Sequence, residues 1–344
     1  MIIKRTLRTL ILLLVLYISA TPAFSQSYQK VVAKAGDGIY VLLRRHGLNP
    51  NDHLQAFKEL NEKNIGEGNS LYAGRTYLLP ATNSAAAKAT PATSSTSPSV
   101  LKVPLFGPKY ERVEIINRQL AGAVFYLVAG HSGPDPGAVG KYGPHMLSED
   151  EYAYDVTIRL ARRLMERGAT VYMIIQDPDD GIRDDNILKM DKDEVSYFGK
   201  PVPYDHKLRL RQRVADINRL ALQHKGAYQR MLSVHIDSRS KGQNIDVFFY
   251  HHENSAAGLA LAQRIHQVFD TKYNRHQPNR EYFGSVTPRS SLYVVKYSHP
   301  PTVFVELGNI KNDKDQRRFV IPNNRQALAN WITEGIINDY KASK

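Results

Sequence analysis

The 344-residue chain contains no cysteine, which excludes disulfides and thiolate metal sites and leaves His, Asp and Glu as the available metal ligands. It has no Ser-centred G-x-S-x-G elbow and no phosphate-binding P-loop, so two common routes to hydrolysis are closed. Long hydrophobic runs are missing too. LILLLVLYI, near the N-terminus, is too short to span a bilayer comfortably as a mature helix. Acidic residues are in deficit: 33 Asp and Glu stand against 46 Lys and Arg, a formal charge of +13. The basic residues are spread along the chain, so the charge favours polyanionic partners without choosing among nucleic acid, anionic lipid and acidic wall polymer. Hydrophobic residues at 42% and charged residues at 23% are the proportions of an ordinary soluble globular protein.

What is present at the N-terminus is a three-part pattern: basic MIIKRTLRT, the short apolar run, then small residues in SATPAFSQ. This predicts a secretory signal peptide over residues 1–25, cleaved after Ser25 with Ala23 at the −3 position. A retained membrane anchor is the competing reading. With no Cys at the junction, lipidation of the bacterial lipoprotein type is excluded. The expected product is exported, periplasmic or associated with the cell wall. Further on, ATNSAAAKATPATSSTSPSV is nearly all Ala, Ser, Thr and Pro and can build no core. It predicts a linker over 81–105 that separates a small unit, 26–80, from a large one, 106–344.

In the small unit an extended start, YQKVVAKAGDG, precedes two helical stretches, IYVLLRRHGL and DHLQAFKELNEKN, and SLYAGRTYLLP closes as a strand. Leu54, Phe57 and Leu60 recur on one helical face. This β-α-α-β order, the central Glu59-Leu60-Asn61 and the closing LYAGRTYLLP resemble a LysM domain. That resemblance implies binding to N-acetylglucosamine in peptidoglycan or chitin. Gly38 stands where most members carry Thr or Ser.

The large unit alternates strand and helix, from AVFYLVAG through VTIRLARRLMERG to TVFVELG and RQALANWITEGIINDY. Such alternation predicts an α/β fold, a mainly parallel sheet with helices on both faces. SLYVVKY is expected to be one of its strands. Ligands of open α/β sheets gather at the carboxyl ends of strands. Three metal-capable residues are expected there: His131 in GHSGPDPGAVG, His235 in MLSVHID and Glu306 in TVFVELG. A fourth group, Glu149, Asp150 and Glu151, opens a helix. Two histidines and a carboxylate with an open fourth position make a catalytic zinc arrangement, and a further carboxylate beside it can act as general base. Taken singly, each is more often structural. His251 and His252 alternate across a strand and cannot share an ion without a bulge.

GHSGPDPGAVG, SEDEYAYDVTIRLARRLMERGATV, LRLRQRVADIN, SVHID and PPTVFVELGNIKNDKD resemble, in order and wording, the zinc-dependent N-acetylmuramoyl-L-alanine amidases. The resemblance covers about residues 125–337. It implies one zinc ion held by His131, Glu149 and His235, with Glu306 catalytic. Ungapped matching through IRLARRLMERG selects Glu149 over Glu151. The implied substrate is peptidoglycan, glycan strand and stem peptide together, with no nucleic acid and no mature transmembrane segment. Arg213 falls on a common Arg position and is expected to bridge to a carboxylate. Val128, Ala129 and Ser132 depart from the usual wording around the first histidine. Residues 180–206 form an insertion that either covers the cleft, contacts a partner or elaborates the surface. Two other functions fit the same residues: a zinc endopeptidase or carboxypeptidase acting on wall peptides, and a catalytically silent wall-binding protein.

Overall fold

The computed structural model describes residues 28–34, 37–46, 48, 50–66, 70–80, 99–238 and 246–344. The expected signal peptide, most of the expected linker and residues 239–245 lie outside the described residues. Among the described residues no helix is long and apolar enough to cross a membrane. The chain divides into two units, 1–94 and 95–344.

The first unit runs β1 (Gln29–Val32), α1 (Ile39–Arg45), α2 (Pro50–Leu60) and β2 (Thr76–Leu79), with β1 and β2 antiparallel and Val31 opposite Tyr77. Val31, Leu42, Leu43, Phe57, Tyr77 and Leu79 form its core, where the Phe57 and Tyr77 rings stack at 5.9 Å. Of the expected helical stripe, Phe57 is fully buried and Leu54 packs at the edge of this core. Asn61 ties helix to strand. Its Nδ2 donates to the carbonyls of Phe57 and Leu78, each at 2.8 Å, and its Oδ1 accepts the Leu78 N–H at 2.7 Å.

The second unit begins earlier than its sequence suggests. Val100–Lys102 (β3), expected within the linker, pairs antiparallel with Arg112–Glu114 (β4). The main sheet comprises β5 (Ala123–Ala129), β8 (Thr170–Met173), β11 (Tyr228–Asp237), β12 (Phe248–His251), β13 (Ser285–Pro288) and β14 (Thr302–Asn309), in the spatial order β13-β12-β14-β11-β5-β8. Every neighbouring pair is parallel except β12 and β14. Two smaller antiparallel pairs are separate from it, β6 (Val139–Tyr142) with β7 (His145–Ser148) and β9 (Ile175–Gln176) with β10 (Val195–Ser196).

The central strands are apolar throughout because both faces are covered. Phe125, Leu127, Leu232, Val234, Val303 and Val305 point one way, onto α3 (Glu149–Met165), α5 (Ala256–His276) and α8 (Pro322–Ala342). Val124, Tyr126, Met231 and Phe304 point the other way, onto α4 (His206–Ala221) and α6 (Tyr293–Tyr297). Short α7 (Asp313–Val320) follows β14. The α6 helix corrects an expectation, since SLYVVKY is helical rather than extended. Val294 and Val295 are consecutive and both buried in the same cluster. A strand would send them to opposite faces, whereas one helical turn under the sheet serves both.

Candidate metal centre

Parallel pairing aligns the carboxyl ends of β5, β11 and β14, so residues far apart in sequence meet at one edge. His235 on β11 is the register partner of Glu306 on β14. Both fall on the face shared with Phe304, and the His235 ring stacks on Phe304 at 4.2 Å. After β5 the chain turns sharply at His131, where φ is 55°, and returns through β6 and β7 to Ser148, the residue before α3. Glu149, first in that helix, is thereby delivered between the two histidines.

The geometry is close. Glu149 Oε2 lies 3.2 Å from His131 Nε2, and Oε1 lies 2.8 Å from His235 Nδ1. The same carboxylate accepts the backbone N–H of Ala138 at 2.9 Å and of Ile236 at 3.0 Å. One ligand-type atom from each of His131, Glu149 and His235 falls within 4.8 Å of the other two. Backbone room is part of the design. A Cβ on Gly137 would stand 2.6 Å from His131 Cδ2 and 2.7 Å from Glu149 Oε2, and one on Gly130 would stand 2.4 Å from His235 Nδ1.

The three neighbouring acids part company here. Glu151 faces away, accepting from Arg183 Nη1 at 2.8 Å and from the Asp191 N–H at 3.0 Å. Asp150 is buried, which pushes its carboxyl up to about 7, and it accepts the Glu151 N–H at 2.9 Å. Only Glu149 of the three converges on the histidines.

Charge is distributed unevenly around the site. Burial works to lower the His131 pKa, but hydrogen bonds to Asp135 and Glu149 outweigh it and raise the pKa to about 9. His235 lies deeper: burial, the facing His131 and the Arg213 charge together outweigh the help of Glu149 and depress it. Burial also opposes ionisation of Glu149, yet the two imidazoles hold its carboxyl well below the usual range. Glu306 is the reverse case. Burial first, then the charges of Glu149 and Asp237, drive its pKa well up, and among the described residues its Oε2 has no hydrogen-bond partner.

These features suit a divalent cation. Two imidazoles and one carboxylate converge on a point, the donor set fits zinc with an open position, and a cation there would offset the orphaned Glu306 oxygen. Sequence reasoning missed the supporting residues. His131 Nδ1 donates to Asp135 Oδ2 at 2.9 Å, and Asp135 is in turn bonded by Arg209. The bridge expected of Arg213 is therefore made one turn earlier. Among the described residues Arg213 has no carboxylate partner, and its Nε and Nη2 are buried and unpaired. An Asp four residues after a His in a Gly- and Pro-rich loop was the available signal for Asp135.

A six-stranded, mostly parallel sheet with two imidazoles and two carboxylates at its carboxyl edge describes a hydrolase. The chain belongs to the Amidase_3 family of N-acetylmuramoyl-L-alanine amidases, whose sequence model matches residues 126–338. It is similar to the germination-specific N-acetylmuramoyl-L-alanine amidase of Bacillus subtilis, 24% identical over 222 residues that cover 63% of this chain and 80% of that protein. The uncharacterized protein YqiI of the same organism is 26% identical over 234 residues, 64% of this chain and 86% of that one. Among solved structures, the N-acetylmuramoyl-L-alanine amidase AmiC2 of Nostoc punctiforme matches with a TM-score of 0.45 at 19% identity, covering 63% of this chain and 97% of that one. The CwlD amidase of Clostridioides difficile, solved in complex with the GerS lipoprotein, matches with a TM-score of 0.47 at 19% identity, covering 64% and 99%. The activity is that of a peptidoglycan N-acetylmuramoyl-L-alanine amidase.

Proposed function

We propose that His131 Nε2, Glu149 and His235 Nδ1 hold one zinc ion and that Glu306 is the general base for cleaving the amide between the lactyl group of N-acetylmuramic acid and L-alanine. When bound, zinc supplies Lewis acidity that polarises the scissile carbonyl and lowers the pKa of water from about 15.7 toward 7. Glu306 takes the proton of the attacking water and passes it to the leaving amine of L-alanine. Burial raises its pKa, and the charge of a bound cation would favour the ionised form that a base requires. Asp135 holds the proton of His131 on Nδ1, which leaves Nε2 free to ligate.

The observation that carries this reading is the approach of both histidines to the two oxygens of Glu149, at 3.2 and 2.8 Å, with the unpartnered Glu306 Oε2 one strand away. The small βααβ unit would hold the enzyme on glycan and raise its local concentration there, an effective-concentration effect rather than a catalytic one. An exported, periplasmic or wall-associated location follows from the N-terminal pattern and the substrate.

A digest of purified peptidoglycan, run with the wild-type protein and with Glu306→Gln, tests the proposal. Release of free stem peptides beginning at L-alanine by the wild type alone supports it. Peptides cut internally would instead mean an endopeptidase or carboxypeptidase, and release by neither protein, with zinc bound, a silent wall binder.

A further inference from the structure

The segment between β9 and α4, residues 177–205, carries many charges and no periodicity, yet its path is not that of a surface decoration. Glu194 is 4% exposed, and its Oε2 accepts the backbone N–H of Gly133 at 2.7 Å. Val202, eight residues on, fills the space beside Gly133, where an added Cβ would stand 2.9 Å from the valine Cβ. Two further bonds reach the start of α3: Arg183 Nη1 donates to Glu151 Oε2 at 2.8 Å, and the Asp191 N–H donates to Glu151 Oε1 at 3.0 Å. The segment thus grips the loop carrying His131 and the helix start carrying Glu149.

The gripped loop is strained. His131, Ser132 and Gly133 run consecutively through the left-handed region, with φ of 55°, 77° and 65°. Two of these are not glycine, and each such residue costs about 1–3 kcal/mol and persists only where its surroundings over-determine it. Ser132 is fully buried, and its Oγ donates to the Gly130 carbonyl at 3.2 Å. Beside the packing of Val202 and the bond of His131 to Asp135, the turn is held from outside by the carboxylate of Glu194. Without it, the Gly133 N–H has no acceptor and the turn can relax toward ordinary backbone, swinging the His131 ring away from Glu149.

We propose that residues 177–205 buttress the metal centre and that Glu194 is a positioning residue, fixing through the Gly133 N–H the left-handed turn that aims His131 at Glu149 and His235. This rests on the zinc reading above. Glu194 acts through Gly133 and is not one of the three residues proposed to hold zinc, although one of its oxygens also lies within 4.8 Å of carboxylate oxygens of Asp177 and Asp191. Its effect is therefore on how well the ligands are preorganised, which sets affinity and coordination geometry.

The test compares wild type, Glu194→Ala, Glu194→Asp and Glu194→Gln in zinc affinity, by chelator competition, and in the visible absorption of the cobalt-substituted proteins. Loss of a supporting residue of this kind weakens metal binding by about 10- to 100-fold. Glu194→Ala is expected to show such a loss with an altered cobalt spectrum. Glu194→Gln, which keeps an acceptor oxygen, is expected to restore both. Glu194→Asp, whose oxygen is drawn back by one methylene, carries the test if the alanine variant does not fold, and an intermediate loss is expected. Unchanged affinity and spectrum in the folded Ala or Asp variant, even with a lowered Tm, would overturn the proposal. So would a Gln variant as impaired as Ala. Wild-type protein that binds no zinc would overturn the underlying reading, and this inference with it.

Discussion

His235 and Glu306 are register partners on the adjacent parallel strands β11 and β14 and project from the same face of the sheet, one toward a carboxylate and the other with an Oε2 that has no hydrogen-bond partner among the described residues. A buried carboxylate in that position costs several kcal/mol unless a cation compensates it. Replacing Glu306 by Gln removes the charge but not the shape. Turnover is expected to fall by about 10²- to 10⁴-fold, the usual worth of a general base, while zinc is retained. In chelator-treated samples the variant is expected to melt above wild type, and added zinc to close the gap. Equal turnover in the two proteins would remove Glu306 from the chemistry.

Asp135 stands behind His131 as Glu149 stands before it. Its Oδ2 accepts from His131 Nδ1 at 2.9 Å and its Oδ1 accepts the Gly137 N–H at 3.1 Å, so one side chain orients the ring and closes the loop. Asp135→Ala is expected to lower zinc affinity by about 10- to 100-fold, with Asp135→Asn between the two. Measured zinc content after dialysis against a weak chelator checks this. Full retention in the alanine variant would show that packing alone orients the ring.

The site's two histidines and Glu306 were legible because each ends a continuous apolar run, and buried parallel strands read that way in any sequence. Glu149 was legible only through the wording of the following helix. What singles it out physically, turning inward while Glu151 meets Arg183, depends on helix phase against a loop that sequence does not draw. Asp135, Arg209 and Glu194 were not legible in their roles, since Asp135 meets His131 only across a loop reversal, Arg209 reaches Asp135 from another helix, and Glu194 acts through the Gly133 N–H. The strand β13 and the helix α6 show the other limit. SVTP is short and half-buried, and a run such as YVVKY has no period long enough to separate strand from helix.

In the small unit, Asn61 is 1% exposed and makes three hydrogen bonds to backbone groups of Phe57 and Leu78. A unit of this size is marginal without disulfides, so one such residue counts heavily. Asn61→Ala leaves the Leu78 N–H and carbonyl unpaired and is expected to destabilise the unit by about 2–3 kcal/mol. Hydrogen exchange at the Leu78 amide should accelerate accordingly, while turnover of a soluble muropeptide stays unchanged. An unaltered exchange rate would mean that solvent replaces the side chain without penalty.

Asp177, at the start of the buttress, supplies a test of pH dependence. Burial first, then the neighbouring charges of Asp180 and Asp193, push its carboxyl up to about 8. A carboxyl raised in the folded state binds more protons folded than unfolded, so its contribution is full below the ordinary value near 4 and is lost as pH rises toward 8. Asp177→Asn keeps the Oδ1 that accepts from the N–H groups of Asp179 and Asp180, at 3.2 and 2.8 Å, but cannot ionise. The Tm of the variant minus that of wild type is therefore expected to increase steadily between pH 5 and 8. A difference that is flat across that range would mean that Asp177 ionises as readily in the folded chain as in the unfolded one.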